Sequence, residues 1–252
     1  MKKVMFAAAV AAGLVAFGDG IESSNTVGYQ NREIGAFNLT LDTFINANGG
    51  TGVLGDFKPN AAFISKGTLQ TFTSDGQAGP LYIYVNDPEV LEIFEAEEGW
   101  YLFSDEELTD CKNSQVIPFA TGFLAKSTAA GSTLTYAGEV KDSATEIPIG
   151  GFTLTGNCSP KDLTLGDFEP NAAFISKGTL QTFTSDGQAG PLYIYVNDPE
   201  VLEIFEAEEG WYLFSDEELT DCKNSVPVYA GDAFLAKSTA AGSTLEIPSA
   251  TK

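Results

Sequence analysis

Histidine is absent from all 252 residues of the chain. Without it there is no Ser-His-Asp or Cys-His catalysis, no histidine zinc site and no imidazole acid–base work. Arginine is nearly absent: Arg32 is the only one, and 13 basic residues face 35 acidic ones for a net charge of -22. Bidentate phosphate recognition needs arginine, and an acidic surface repels a phosphate backbone, so no nucleic-acid partner is expected. An anionic membrane surface is disfavoured on the same ground. A G-x-x-x-x-G-K motif, a phosphate-cradling G-x-G-x-x-G after a strand and a C-x-x-C pair are missing as well. The longest apolar run, VMFAAAVAAGLVAF over residues 4–17, is too short to span a bilayer comfortably, and no membrane span is expected in the mature form.

That run follows Lys2 and Lys3 and is closed by the small-residue end Ala16-Phe17-Gly18. The pattern predicts a signal peptide over 1–18, cleaved after Gly18, and therefore an exported protein: extracellular, at the cell surface or periplasmic. A mature N-terminal segment over 19–30 follows.

The rest is written twice. Residues 54–134 align with 165–245 at a constant offset of 111 without a gap. Of the 81 aligned positions 72 are identical; the differences are Lys58 against Glu169 and the block QVIPFATG (115–122) against VPVYAGDA (226–233). A repeat of domain size predicts two tandem β domains, 31–140 and 146–252, joined by a linker over 141–145. Identical centres inside diverged edges point to copying of a whole module. The identity therefore does not mark which residues function needs.

Within each copy strand signals dominate. PLYIYVN (80–86) places Leu81, Ile83 and Val85 on one face and Tyr82 and Tyr84 on the other. VLEIFEA (90–96) and WYLFS (100–104) read as a hairpin turning at Gly99, and FLAKS with STLTYAG (123–138) as another. AAFISKGTLQTFTSDG (61–76) reads as two short strands, and SDEELTDC (104–111) as the one short helix, capped by Ser104. The expected class is all-β: two tandem antiparallel β-sandwich, or barrel-like, domains.

Three constellations offer chemistry. Tyr82, Tyr84, Trp100 and Tyr101, repeated as Tyr193, Tyr195, Trp211 and Tyr212, read either as a sugar-stacking platform or as the aromatic core of a sandwich. Asp87 and Glu89, with Asp198 and Glu200, offer hard oxygen ligands for calcium, against a reading as bare turn residues. The acids Glu92, Glu95, Glu97, Glu98, Asp105 and Glu106 form the densest carboxylate cluster, which reads as a solvated face before it reads as a glycosidase pair. No cofactor other than calcium is expected. Of three cysteines, Cys111 and Cys222 are equivalent, so Cys158 is expected to bridge Cys222 and leave Cys111 over.

The segments DGIESSNTVGYQ, GAFNLT with GGFTLTGN, and FLAKSTAAGSTLTYAGEV resemble a group of exported β-rich proteins of Verrucomicrobia- and Kiritimatiellae-like bacteria. Their tryptophan in an "AFWVK"-type strand is replaced here by Leu124 and Leu235. The resemblance covers about a fifth of the chain; it implies an exported, tandem, all-β protein and brings no catalytic residue. The expectation is a non-enzymatic surface or extracellular protein with a structural or adhesive role. The alternatives are a pair of carbohydrate-binding modules and, last, a carboxylate-dependent glycoside hydrolase. Expected partners are polysaccharide, a cell-surface protein, or another copy of the chain.

Overall fold

The computed structural model describes residues 27–33, 38–41, 51–72, 77–118, 120–139, 143–159, 161–183 and 189–248. Residues 1–18, expected from sequence to be a signal peptide, lie outside them. The first half comprises β1 (Val27–Glu33), β2 (Asn38–Leu41), β3 (Thr51–Val53), β4 (Lys58–Pro59), α1 (Ala61–Lys66), β5 (Gly67–Phe72), β6 (Ala78–Val85), α2 (Pro88–Ile93), β7 (Gly99–Leu102), β8 (Val116–Pro118), β9 (Gly122–Ser127) and β10 (Thr133–Glu139). The second repeats the order: β11 (Thr145–Pro148), β12 (Gly151–Gly156), β13 (Leu163–Thr164), β14 (Glu169–Pro170), α3 (Ala172–Lys177), β15 (Gly178–Phe183), β16 (Ala189–Val196), α4 (Pro199–Phe205), β17 (Gly210–Leu213), β18 (Pro227–Val228), β19 (Ala233–Ser238) and β20 (Thr244–Ile247).

All the described pairings are antiparallel. Each half holds a five-stranded sheet, β2-β9-β5-β6-β7 or β12-β19-β15-β16-β17. Each adds a three-stranded sheet, β1-β10-β4 or β11-β20-β14, and a two-stranded one, β3-β8 or β13-β18. None of these sheets closes on itself, so the barrel-like alternative is not adopted. The exposed edge of β7 is finished locally: Trp100 N donates to Asn113 Oδ1 at 3.1 Å, and Lys112 N donates to Trp100 O at 2.7 Å. The loop thus takes the ladder groups that an open edge would offer to another chain.

The core of each half lies under one face of its five-stranded sheet. Alternation along β6 puts Tyr82 and Tyr84 on that face beside Leu69, Trp100, Phe123 and Ala125. Phe63 of α1, Leu134 of β10 and Ile117 of β8 close it from the other side. The second half repeats this with Leu180, Tyr193, Trp211, Phe234 and Ala236 beneath Phe174, Leu245 and Val228. The halves also touch: Leu154 occupies the space beside Gly122, 2.6 Å from where a Cβ on that glycine would sit, and Ala120 packs into the second core.

Four local expectations change. Residues 61–66 are helical, because Asn60 Oδ1 accepts from Phe63 N at 2.9 Å as an N-cap while its Nδ2 donates to Gly131 O at 2.8 Å. Residues 88–93 are helical too: Asp87 accepts from Glu89 N at 2.9 Å, and Pro88 at the first position fixes a helical φ. Residues 104–111 are not a helix. Asp105 takes the N–H groups of Thr109 and Asp110 at 3.2 and 3.0 Å, and Leu108 turns the chain at φ 50. Finally, β9 and β10 do not form a hairpin. The buried pair Ser127 Oγ and Ser132 Oγ, 2.6 Å apart, holds a corner that sends β10 into a different sheet.

The helices α2 and α4 end on non-glycine residues in the left-handed region, Glu95 at φ 51 and Glu206 at φ 50. A carboxylate there also opposes the helix dipole. Glu206→Gly is expected to stabilise the fold by about 0.5–1 kcal/mol, read as a higher urea midpoint at unchanged slope. A lower midpoint would mean that Glu206 makes a compensating contact.

Candidate functional site

The aromatic platform expected from sequence is not exposed. Trp100 and Trp211 are 0 % exposed, and Tyr101 and Tyr212 are 1 % exposed. Each indole stacks edge-on against a tyrosine, Trp100 on Tyr84 at 5.2 Å and Trp211 on Tyr195 at 5.2 Å. Each also donates Nε1–H to a carbonyl, Phe57 O at 3.0 Å and Phe168 O at 3.2 Å. Tyr82 and Tyr193 are buried in the same cores. Rings fixed in this way have no face to offer a sugar, and large apolar area on a half-buried sheet belongs inside. Seven of these eight side chains are therefore buried, and Tyr195 is half-buried against the second core.

The carboxylates behave similarly. Asp87 and Asp198 are helix N-caps, each accepting two backbone N–H groups, while Glu89 and Glu200 lie exposed in the first helical turn. Among the described residues no group of three or more His, Cys, Asp or Glu side chains is placed to hold a metal ion. The N–H groups of Thr109 and Asp110 bonded to Asp105 hold its carboxyl below the usual carboxylate range, which marks a tight turn.

The expected Cys158–Cys222 disulfide is not formed; the three cysteines carry thiols. Cys158 follows β12 beside Asn157, whose Nδ2 donates to Val228 O at 2.8 Å. Cys222 lies against Tyr212 on the far side, just before Asn224, which accepts from Trp211 N at 2.9 Å.

A concave feature of the second half lies on the other face of its five-stranded sheet. It is a groove of about 440 Å³. Its apolar lining is Phe152 of β12, Leu192 of β16, Leu235 of β19 and Phe214 just past β17. Its polar lining is Lys177, Thr179, Gln181, Lys237 and Thr239. Thr179, Gln181, Leu192, Leu235 and Lys237 alternate with the buried Leu180, Tyr193, Phe234 and Ala236, so strand period puts them outward. Five strands give the face a width of about 19 Å. Phe152 and Phe214 come from its opposite edges. Phe214 is 61 % exposed, and Lys237 Nζ rests 4.8 Å from the centroid of the Phe152 ring.

None of the groove residues is among the candidate site residues expected from sequence. The alternation Thr179-Leu180-Gln181 and Leu235-Ala236-Lys237 is the signal that identifies them. The first half carries identical residues at Lys66, Thr68, Gln70, Leu81, Phe103, Leu124, Lys126 and Thr128. There, however, Leu124 is buried, whereas Leu235 is half-buried.

A second surface feature recurs in both halves. Ile93 and Ile204 are each 74 % exposed at the ends of α2 and α4, next to Phe94 and Phe205. Among the described residues no helix is long and apolar enough to cross a membrane. Comparison with known proteins finds no matching family model, curated protein or solved structure.

Proposed function

We propose that the protein is an exported, non-enzymatic binding protein of two tandem β-sandwich modules that holds a polysaccharide chain across the outer sheet face of its second module. The groove of Phe152, Phe214 and their polar neighbours carries the reading. Aromatic rings near its two ends suit the apolar faces of sugar rings, and Thr179, Gln181 and Thr239 suit their hydroxyls. A peptide fits less well. The backbone of a sheet face is committed to the ladder, so a peptide main chain would find few partners there. The lining contains no carboxylate, so it lacks the acid pair that glycoside hydrolysis uses.

A second reading, assembly of copies into a surface layer, is favoured by the exposed Ile93 and Ile204. One preparation of the mature chain separates the two. On a polysaccharide array at least one glycan is expected to bind, with Phe214→Ala weakening it on the order of tenfold, about 1.4 kcal/mol. Binding to none, together with concentration-dependent growth in sedimentation velocity, would replace the first reading by the second.

A further inference from the structure

Resting on the groove as the binding site, we infer that its ligand is an anionic polysaccharide, one bearing carboxylate or sulfate groups along the chain. The charge distribution carries this. The sequence has 13 basic residues against 35 acidic ones, yet the groove lining holds Lys177 and Lys237 and no Asp or Glu. Elsewhere among the described residues lysines are neutralised by ion pairs, as in Lys112–Asp110 and Lys223–Asp221. Lys177 and Lys237 make no such pair. The Lys237 ammonium is steadied by the Phe152 ring at 4.8 Å, a neutral partner that leaves its charge available.

The two cations come from neighbouring elements. Thr179 of β15 is the Cα partner of Lys237 of β19, and Lys177 is the last residue of α3, directly before β15. A polymer with an anionic group on each repeat can meet both cations while its chain runs on along the groove. The apolar walls from Leu192, Leu235 and the two phenylalanines focus the field of the lysines into the groove. The acids elsewhere act at longer range, where salt at physiological strength screens them beyond about 8 Å.

The test is titration calorimetry of the mature chain with three probes: a polyuronate, a sulfated galactan, and a neutral galactan. The inference expects at least one anionic polymer to bind ten times more tightly than the neutral one. Lys177→Gln/Lys237→Gln should erase that preference while leaving the near-ultraviolet dichroism intact, since both side chains are exposed. Equal binding of charged and neutral polymers, or an anionic preference that survives the double substitution, overturns the inference and leaves the groove in place. Loss of specificity for the groove itself, seen as Phe214→Ala binding like the parent, overturns the reading beneath it. Preference for the polyuronate over the sulfated galactan, or the reverse, identifies which anion the lysines meet.

Discussion

Trp211→Ala is expected to destabilise the second half by about 3–5 kcal/mol, a large share of an ordinary domain's stability. Trp211 is fully buried, stacks edge-on against Phe174 at 6.2 Å and Tyr195 at 5.2 Å, and bonds to Phe168 O at 3.2 Å. Truncation opens a cavity that Phe174 and Tyr195, held by α3 and β16, are poorly placed to fill. It also strands the Phe168 carbonyl. Trp211→Phe keeps most of the volume and strands only the carbonyl, so about 1–3 kcal/mol is expected. The chain has 2 tryptophans, one in each copy, so each substitution leaves a single fluorescent reporter in the other half. In urea unfolding of Trp211→Ala, a Trp100 signal that keeps its original midpoint means the halves melt as separate modules. A Trp100 midpoint that falls with the loss of Trp211 means the contact at Gly122 and Leu154 couples them. A change below 1 kcal/mol in the second half would contradict the core assignment.

What the sequence discloses here is set by the range of the interaction. The period of two in PLYIYVN is local, and β6 follows it, with Tyr82 and Tyr84 on one face as read. Which face is buried is a tertiary matter. The partner of the Trp100 indole is Phe57 O, 43 residues away, and no pattern near Trp100 announces it. Short apolar runs are ambiguous in another way. Val90 to Phe94 fits a strand as well as a helix, and Asp87-Pro88 decides for the helix by capping it and fixing its first φ. That signal was present and was outweighed by the strands around it. The corner at Ser127 and Ser132 differs again, because a short connection containing Gly131 has the length of a hairpin loop. Only the buried hydroxyl pair turns the chain out of the sheet. The groove combines both cases. Its alternation is legible in KGTLQ and FLAKS, but its concavity depends on Phe152 and Phe214 meeting from opposite sheet edges.

The buried tyrosines make the fold sensitive to base. Burial, and then the hydrogen bond to Glu98 at 2.9 Å, push the Tyr84 phenol from 10.0 up to about 12. Tyr195 is raised to about 12 by burial and Glu209, and Tyr101 to about 12 by burial and its hydrogen bond with Cys111. Burial raises Tyr82, Tyr193 and Tyr212 as well. The folded chain therefore holds these protons more tightly than the unfolded chain, whose phenols ionise near 10. Their contribution is whole below pH 10 and is lost as pH rises from about 10 through about 12. Because six groups act in the same direction, the loss is cooperative. Tyrosinate absorbance and the collapse of near-ultraviolet dichroism are expected to rise and fall together across that window. Tyr84→Phe/Tyr195→Phe removes two of the six and should make the loss of stability with pH shallower. At neutral pH the same pair forgoes its hydrogen bonds to Glu98 and Glu209, about 0.5–1.5 kcal/mol each. Phenols that titrate near 10 while the dichroism persists would show that these rings meet solvent, and would return Tyr84 and Tyr195 to the surface where a sugar could reach them.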